Sequence, residues 1–267
     1  MNTNIFNTIF IEDGNIIKIG PNETIKKELY GLLELSKYIN VPKVINFNQS
    51  TIIMEYINGE TISSIFLKGQ LNTILFKNIL NIIDNLHNIK NDEINESLIN
   101  FKIKQWIIDK FNYRMELLDY KNNHCVELYH KLHNWLNIYQ VNTVGYTHGD
   151  LWFPNIIYSF NKNIVFIDPR GCSFKNNTII NDINYDYAKL LQSLLGYDAL
   201  LYEINEPHNK NDLLSFFKNY LSNKSIDYNT ILYYSCMLML GSNLFIKENK
   251  KIEVIELINK ILNFYNI

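Results

Sequence analysis

The stretch THGDLWFPNIIYSFNKNIVFIDPRG, residues 147–171, sets two carboxylates, Asp150 and Asp168, and one amide, Asn155, among apolar residues. Asn155 follows Asp150 by five positions and Asp168 follows it by eighteen, with an apolar hairpin between. A hairpin holds its two ends close together, so Asn155 and Asp168 are expected to face one volume. An amide oxygen and a carboxylate oxygen are hard ligands. They suit Mg²⁺, which keeps several waters and takes its remaining ligands from substrate phosphates. Asp150, on the loop before the hairpin, is free to accept a proton from a hydroxyl. A positioned acceptor, a metal bridging phosphates and little covalent work by the protein are the parts of a phosphoryl transfer. The plainer alternative is that the same residues only form turns, where Asp and Asn are common.

The elements that must position these residues follow from periodicity and turn chemistry. NTIFI and NIIKIG alternate in the strand manner about Asp13-Gly14, a strong hairpin signal. A helix is expected over residues 23–39, with Asn22 as its cap and Ile25, Leu29, Leu32, Leu33 and Leu35 mostly on one face. Val41-Pro42 ends it, and two strands, KVINFN and TIIMEYI, follow. Helices are expected over 71–90, 97–119 and 124–139. The strands NIIYSF and NIVFID then turn at Asn161-Lys162-Asn163, and helices resume over 182–195, 211–222, 228–247 and 251–265. The expectation is α+β, with a strand-rich N-terminal part and a larger helical part meeting near residues 55–60.

Composition excludes several classes. The chain has 267 residues, 47% hydrophobic and 19% charged, which is globular and long enough for two lobes around a real core. Net charge is −2 with Lys and Arg scattered, so nucleic acid is not an expected partner. Cys125, Cys172 and Cys236 are odd in number and far apart, against a disulfide framework or a zinc site and in favour of a reducing, cytoplasmic setting. MNTNIFNTIFIEDGN lacks a basic region followed by an apolar run, so no signal peptide is expected. TILYYSCMLMLGSNLFI, residues 230–246, carries Ser235, Gly241, Ser242 and Asn243 and reads as a buried core helix, not a membrane span.

HGDLWFPN followed by FIDPRG resembles the catalytic and metal-binding loops of the aminoglycoside phosphotransferase and choline kinase superfamily. The pattern His-Gly-Asp, four residues, Asn is matched in full and parallels the protein kinase catalytic loop. NYDYAKLLQSLLGYD, residues 184–198, resembles a second block found in phosphotransferase-like proteins of capsule and surface-polysaccharide loci. The resemblance implies a protein-kinase-like two-lobe fold with a small, truncated antiparallel-sheet N-lobe, residues 1–57, and a larger, mostly helical C-lobe, residues 58–267.

The resemblance also implies roles. Asp150 would be the base that orients the acceptor hydroxyl, with Asn155 and Asp168 as ligands of Mg²⁺. Lys18 would hold the α- and β-phosphates of ATP or GTP, and Glu28, in competition with Glu23 and Glu34, would pair with that lysine. The backbone of Glu55, Tyr56 and Ile57 would hydrogen-bond the adenine. His148 and Asp186 are expected to brace the catalytic loop, and Arg170 to meet either a phosphate or a carboxylate. His87, His124, His130, His133 and His208 show no ligand spacing and are expected at the surface or in helix packing.

The departure from the pattern is at the front. Only seventeen residues precede Lys18, without a Gly-rich loop, and Asn7 and Thr8 are the candidates whose backbone N–H groups would reach the phosphates instead. Two functions follow. One is a kinase acting on a small-molecule hydroxyl of a sugar, polyol or glycan precursor. The other is a pseudokinase-like binding or scaffolding protein. Because the resembling capsule-locus proteins can be parts of longer chains, a nucleotidyltransferase is a candidate partner.

Overall fold

The computed structural model describes residues 7–89, 96–121, 125–170 and 178–265. Strands β1 (Thr8–Glu12) and β2 (Asn15–Ile19) form the expected hairpin, turning through Asp13 and Gly14, both at positive φ. Helix α1 (Asn22–Leu35) follows, then β3 (Val44–Phe47) and β4 (Thr51–Glu55). The four strands pair antiparallel in the order β1-β2-β4-β3. Ile25 and Leu32 of α1 pack on Ile52 and Met54 of β4 as a small core of their own.

The same face of α1 also buries Glu28 and Gly31. Asn22 is the first residue of this helix and not its side-chain cap; Pro21 precedes it, and the Pro21 carbonyl takes the amides of Thr24 and Ile25. The helix stops four residues short of the expected Ile39, because the Leu35 carbonyl accepts both Tyr38 N–H and Ile39 N–H and tightens the chain into a turn.

The rest is mostly helical. In chain order come β5 (Gly59–Thr61), α2 (Ile62–Leu67), α3 (Thr73–His87), α4 (Glu96–Leu117), α5 (Val126–Ile138) and β6 (Val144–Tyr146). A single 3₁₀ turn at Phe153–Asn155 leads into β7 (Ile156–Ser159) and β8 (Ile164–Phe166). Then come β9 (Ile180–Asp182), α6 (Asn184–Leu194), α7 (Tyr197–Tyr202), α8 (Lys210–Asn223), α9 (Tyr228–Ser242) and α10 (Glu248–Phe264). A three-stranded sheet runs β5-β7-β8, and β6 pairs with β9. Every residue of α6 from Tyr185 to Leu194 is buried, and α9 is buried on nearly all sides, so these two form the centre of one large core.

The helix expected over 182–195 starts at Asn184 because Ile180–Asp182 is taken up in pairing with β6. That expected over 228–247 ends at Ser242 and passes into a 3₁₀ turn over Asn243–Phe245. Residues 230–246 are core, as expected, and no helix among the described residues is long and apolar enough to cross a membrane. Cys125 and Cys236 are buried free thiols, while Cys172 and His124 lie outside the described residues.

Candidate active site

The β7–β8 hairpin sets the site. Ser159 and Asn163 close its tip (Ser159 N–H to the Asn163 carbonyl, 2.9 Å), and Ile156 pairs with Phe166 at its open end. The ladder is continued by Ile167 N–H donating to the Asn155 carbonyl at 2.9 Å, so Asn155 and Asp168 flank the same opening. Asn155 Nδ2 donates to the Asp150 carbonyl at 2.8 Å. That bond commits the amide nitrogen and leaves Oδ1 as the atom that could ligate an ion.

The loop carrying Asp150 is held from below. The Asp186 carboxylate of α6 accepts His148 N–H at 2.8 Å and Gly149 N–H at 3.0 Å, and His87 Nε2 lies 3.2 Å from it. Gly149 has φ +78°, a left-handed conformation that glycine adopts without strain. Asp150 N–H donates to His148 Nδ1 at 3.3 Å, and burial pushes the His148 imidazole toward its neutral form. Ser193 Oγ accepts Phe153 N–H at 3.0 Å and donates to buried Asp198, which also takes the Ser63 hydroxyl at 2.6 Å. The Asp150 loop is thus tied to α2, α6 and α7.

Charges converge on this loop. Lys18 Nζ lies 2.6 Å from Glu28 and 2.7 Å from Asp168, with Lys18 and Glu28 both buried. Burial alone would lower the lysine, but Asp168 and Glu28 outweigh it and raise its pKa, so it is an ammonium. Burial and the neighbouring Asp168 push Glu28 upward, against the pull of Lys18. Gly31 lets α1 approach: a Cβ there would stand 3.1 Å from Pro169 Cγ. Asp168 has φ +56° although Pro169 follows, a placement that costs about 1–3 kcal/mol and persists only where contacts over-determine it. Lys189 Nζ is 2.9 Å from Asp150, and Arg170 spans the two carboxylates at 3.7 Å from Asp150 and 3.6 Å from Asp168. Burial would raise Asp150, yet Lys189 and Arg170 dominate and hold it at about 2.

Of the residues expected from sequence, Lys18, Glu28, Asp150, Asn155 and Asp168 form one connected set. Glu28 is the helix carboxylate at the lysine; Glu34 pairs with Lys37 on the surface, and Glu23 lies in the first turn of α1. Asn7 lines the same cleft as Asp150, whereas Thr8 is an exposed residue of β1 paired with Ile19. Glu55, Tyr56 and Ile57 do not line that cleft, and Glu55 N–H is already committed to the Lys43 carbonyl at 3.0 Å. Two contacts were missed. His87 is the helix-packing case, buried and edge-on to Tyr187, but its approach to the loop brace Asp186 was not foreseen, and Lys189 is a buried cation on Asp150. A lysine three residues after Asp186 inside the apolar run AKLLQSLL was the signal for the second; His87 had none.

Among the described residues no group of three or more His, Cys, Asp and Glu forms a metal cage. One carboxylate plus one amide oxygen fits an ion that keeps its waters and shares phosphate oxygens, which is the habit of Mg²⁺.

No protein-family model and no curated protein matches the sequence. Solved structures do match the fold. Choline kinase from Cryptosporidium parvum Iowa II superposes with a TM-score of 0.57 at 16% identity, over 99% of this chain and 86% of that one. Choline kinase LicA from Streptococcus pneumoniae gives 0.57 at 14% identity, over 97% and 90%. The aminoglycoside phosphotransferase APH(2")-IIa, in its gentamicin complex, gives 0.56 at 15% identity, over 98% and 88%. The chain has the kinase-like α+β fold of these small-molecule kinases.

Proposed function

We propose that this protein is an ATP- or GTP-dependent phosphotransferase that moves the γ-phosphate to a hydroxyl of a small molecule, a sugar, polyol or glycan precursor. The observation that carries the reading is the continuous set of contacts from Glu28 through Lys18 to Asp168, and through Arg170 to Asp150. A buried lysine between two carboxylates is costly to build for packing alone, and it is the arrangement that a nucleotide phosphate site uses.

In this reading Asp150 accepts the hydrogen bond of the acceptor hydroxyl and aims its oxygen at the phosphorus. A carboxylate held at about 2 is a weak base, so its work is orientation, with the proton passing to it late. Lys18 holds the α- and β-phosphates, and Glu28 fixes Lys18. Mg²⁺, when bound by Asn155 and Asp168, would neutralise charge on the β- and γ-phosphates. Arg170, beside Asp150 and Asp168, stands where it would meet the transferred phosphoryl group. Backbone groups of Tyr56 and Ile57, together with the Glu55 carbonyl, are the proposed adenine contacts, and the Asn7–Thr8 backbone the proposed phosphate contact. The division into lobes at residues 57 and 58 is part of the proposal, supported by the small separate core under the first sheet. The resemblance of residues 147–171 and 184–198 to capsule-locus proteins supports a glycan acceptor, a role in polysaccharide synthesis and a nucleotidyltransferase partner.

The test is transfer of label from [γ-³²P]ATP and GTP to a panel of alcohols. Asp150→Ala is expected to lower kcat by about 10²–10⁴-fold, with Mg-nucleotide affinity largely kept. Unchanged turnover would remove Asp150 from its role. Nucleotide binding by the wild type with no alcohol phosphorylated would favour the binding-protein reading.

A further inference from the structure

The cleft beside Asp150 holds about 450 Å³, the size of a small-molecule site. Among its described lining residues are four cations, Lys110, Arg114, Arg170 and Lys189, and one carboxylate, Asp150. Arg170 and Lys189 belong to the catalytic loop by their pairing with Asp150. Lys110 and Arg114 do not. They stand on α4, one helical turn apart, where like charges repel.

Both are held at the wall by aromatic rings. Lys110 Nζ lies 4.5 Å from the Trp106 ring centroid and donates to the Tyr185 hydroxyl at 3.0 Å. The Arg114 guanidinium lies 5.1 Å from the Phe245 ring centroid, and among the described residues no carboxylate pairs with it. A ring fixes the Arg114 guanidinium without neutralising it. Two anchored, like-charged groups on one wall of a concave site make a place for an oxyanion, and the guanidinium fork matches a carboxylate or a phosphate ester.

We propose that the acceptor is an anionic alcohol, a hydroxyl compound whose own carboxylate or phosphate ester is held by Lys110 and Arg114 while its hydroxyl meets Asp150. This rests on the phosphotransferase reading and narrows it. A cationic acceptor would add a fifth positive charge to a wall that already carries four against one.

The experiment uses the full chain and two readouts. Melting temperature is followed without nucleotide against glucose, glucosamine, glucuronate, glucose 1-phosphate, glycerol, glycerate and glycerol 3-phosphate. ADP formation is followed with Mg-ATP and the same compounds. Anionic members are expected to stabilise the wild type and to be the better acceptors, with binding that weakens as salt rises. The carboxylate and phosphate arms decide which oxyanion is preferred. Arg114→Gln and Lys110→Gln are each expected to weaken anion binding at least about tenfold, and Arg114→Lys to restore part of it. The proposal is overturned if no anion stabilises the wild type, if glucose or glucosamine binds or reacts as well as the anions, or if the variants bind anions like the wild type. A Mg-ATP shift run alongside separates the two failures. Its absence would overturn the phosphotransferase reading, whereas its presence without anion selectivity would overturn only this narrowing.

Discussion

At the scale of single residues the site is a balance of buried charge. Lys18 has two carboxylates within 2.7 Å, and removing it leaves buried Glu28 without its ion-pair partner and Asp168 with Arg170 alone. Lys18→Met is therefore expected to cost about 3–5 kcal/mol of stability, read from urea melts. Glu28→Gln in the same chain should recover part of that loss, because it removes the buried carboxylate left without a partner. Simple additivity of the two substitutions would contradict the coupling. Lys18, Glu28, Asp150, Asn155 and Asp168 were legible in the sequence as one cluster, the last three from residue type and spacing and the first two from the resemblance to kinase loops. Lys189 and His87 were not. Their partners, Asp150 and Asp186, lie far along the chain, and only folding makes the pairing visible.

At the scale of elements, α1, α3 and the two hairpins carried their periods and turn residues openly, whereas α4 and α9 have little one-sided period. The short pieces β5, α2, β6, β9 and α7, of three to six residues, are too brief for any period and owe their form to their partners. Asp198 shows how such a piece is fixed: at the start of α7 it takes hydroxyls from α2 and α6, and through Ser193 it holds the Phe153 amide of the turn that follows Asp150. Burial pushes its carboxyl up to about 6, despite the two hydroxyls that lower it. The sign follows from proton binding. Between the ordinary value near 4 and about 6 the native state holds a proton that the unfolded chain has lost. Asp198 thus contributes stability that is fully present below about pH 4 and disappears as pH rises through about 6. Asp182, pushed to about 7 by burial, acts in the same direction. Asp198→Asn is expected to flatten the fall in urea-melt stability over this window by on the order of 2–3 kcal/mol. An unaltered slope would mean that the group is ionised in the native state.

For the molecule as a whole, the two cores are unequal. Four buried residues, with Ile16, Leu29, Val41 and Val44 packed on them, hold the first sheet and α1 together, while one continuous core joins nearly every later element. Regions with few buried apolar contacts open at lower free energy. Amide hydrogen exchange is expected to be faster in β1, β2 and β4 than in α6 and α9, and to slow in the first group on addition of Mg-ATP; equal protection throughout would argue against the proposed lobe division. The N-terminal sheet and the mostly helical remainder were legible from the switch of periodicity, whereas the inequality of the cores was not, since it depends on which side of α1 meets the sheet. The proposed function turns on a nucleotide held through Asp168. The measurement that tests it is thermal unfolding with ATP and GTP, with and without Mg²⁺, for the wild type and Asp168→Asn. A ligand that binds only the native state raises the melting temperature by mass action. A Mg²⁺-dependent rise in the wild type that is lost in Asp168→Asn is the predicted result; no rise at millimolar nucleotide, or an equal rise in the variant, would contradict the account.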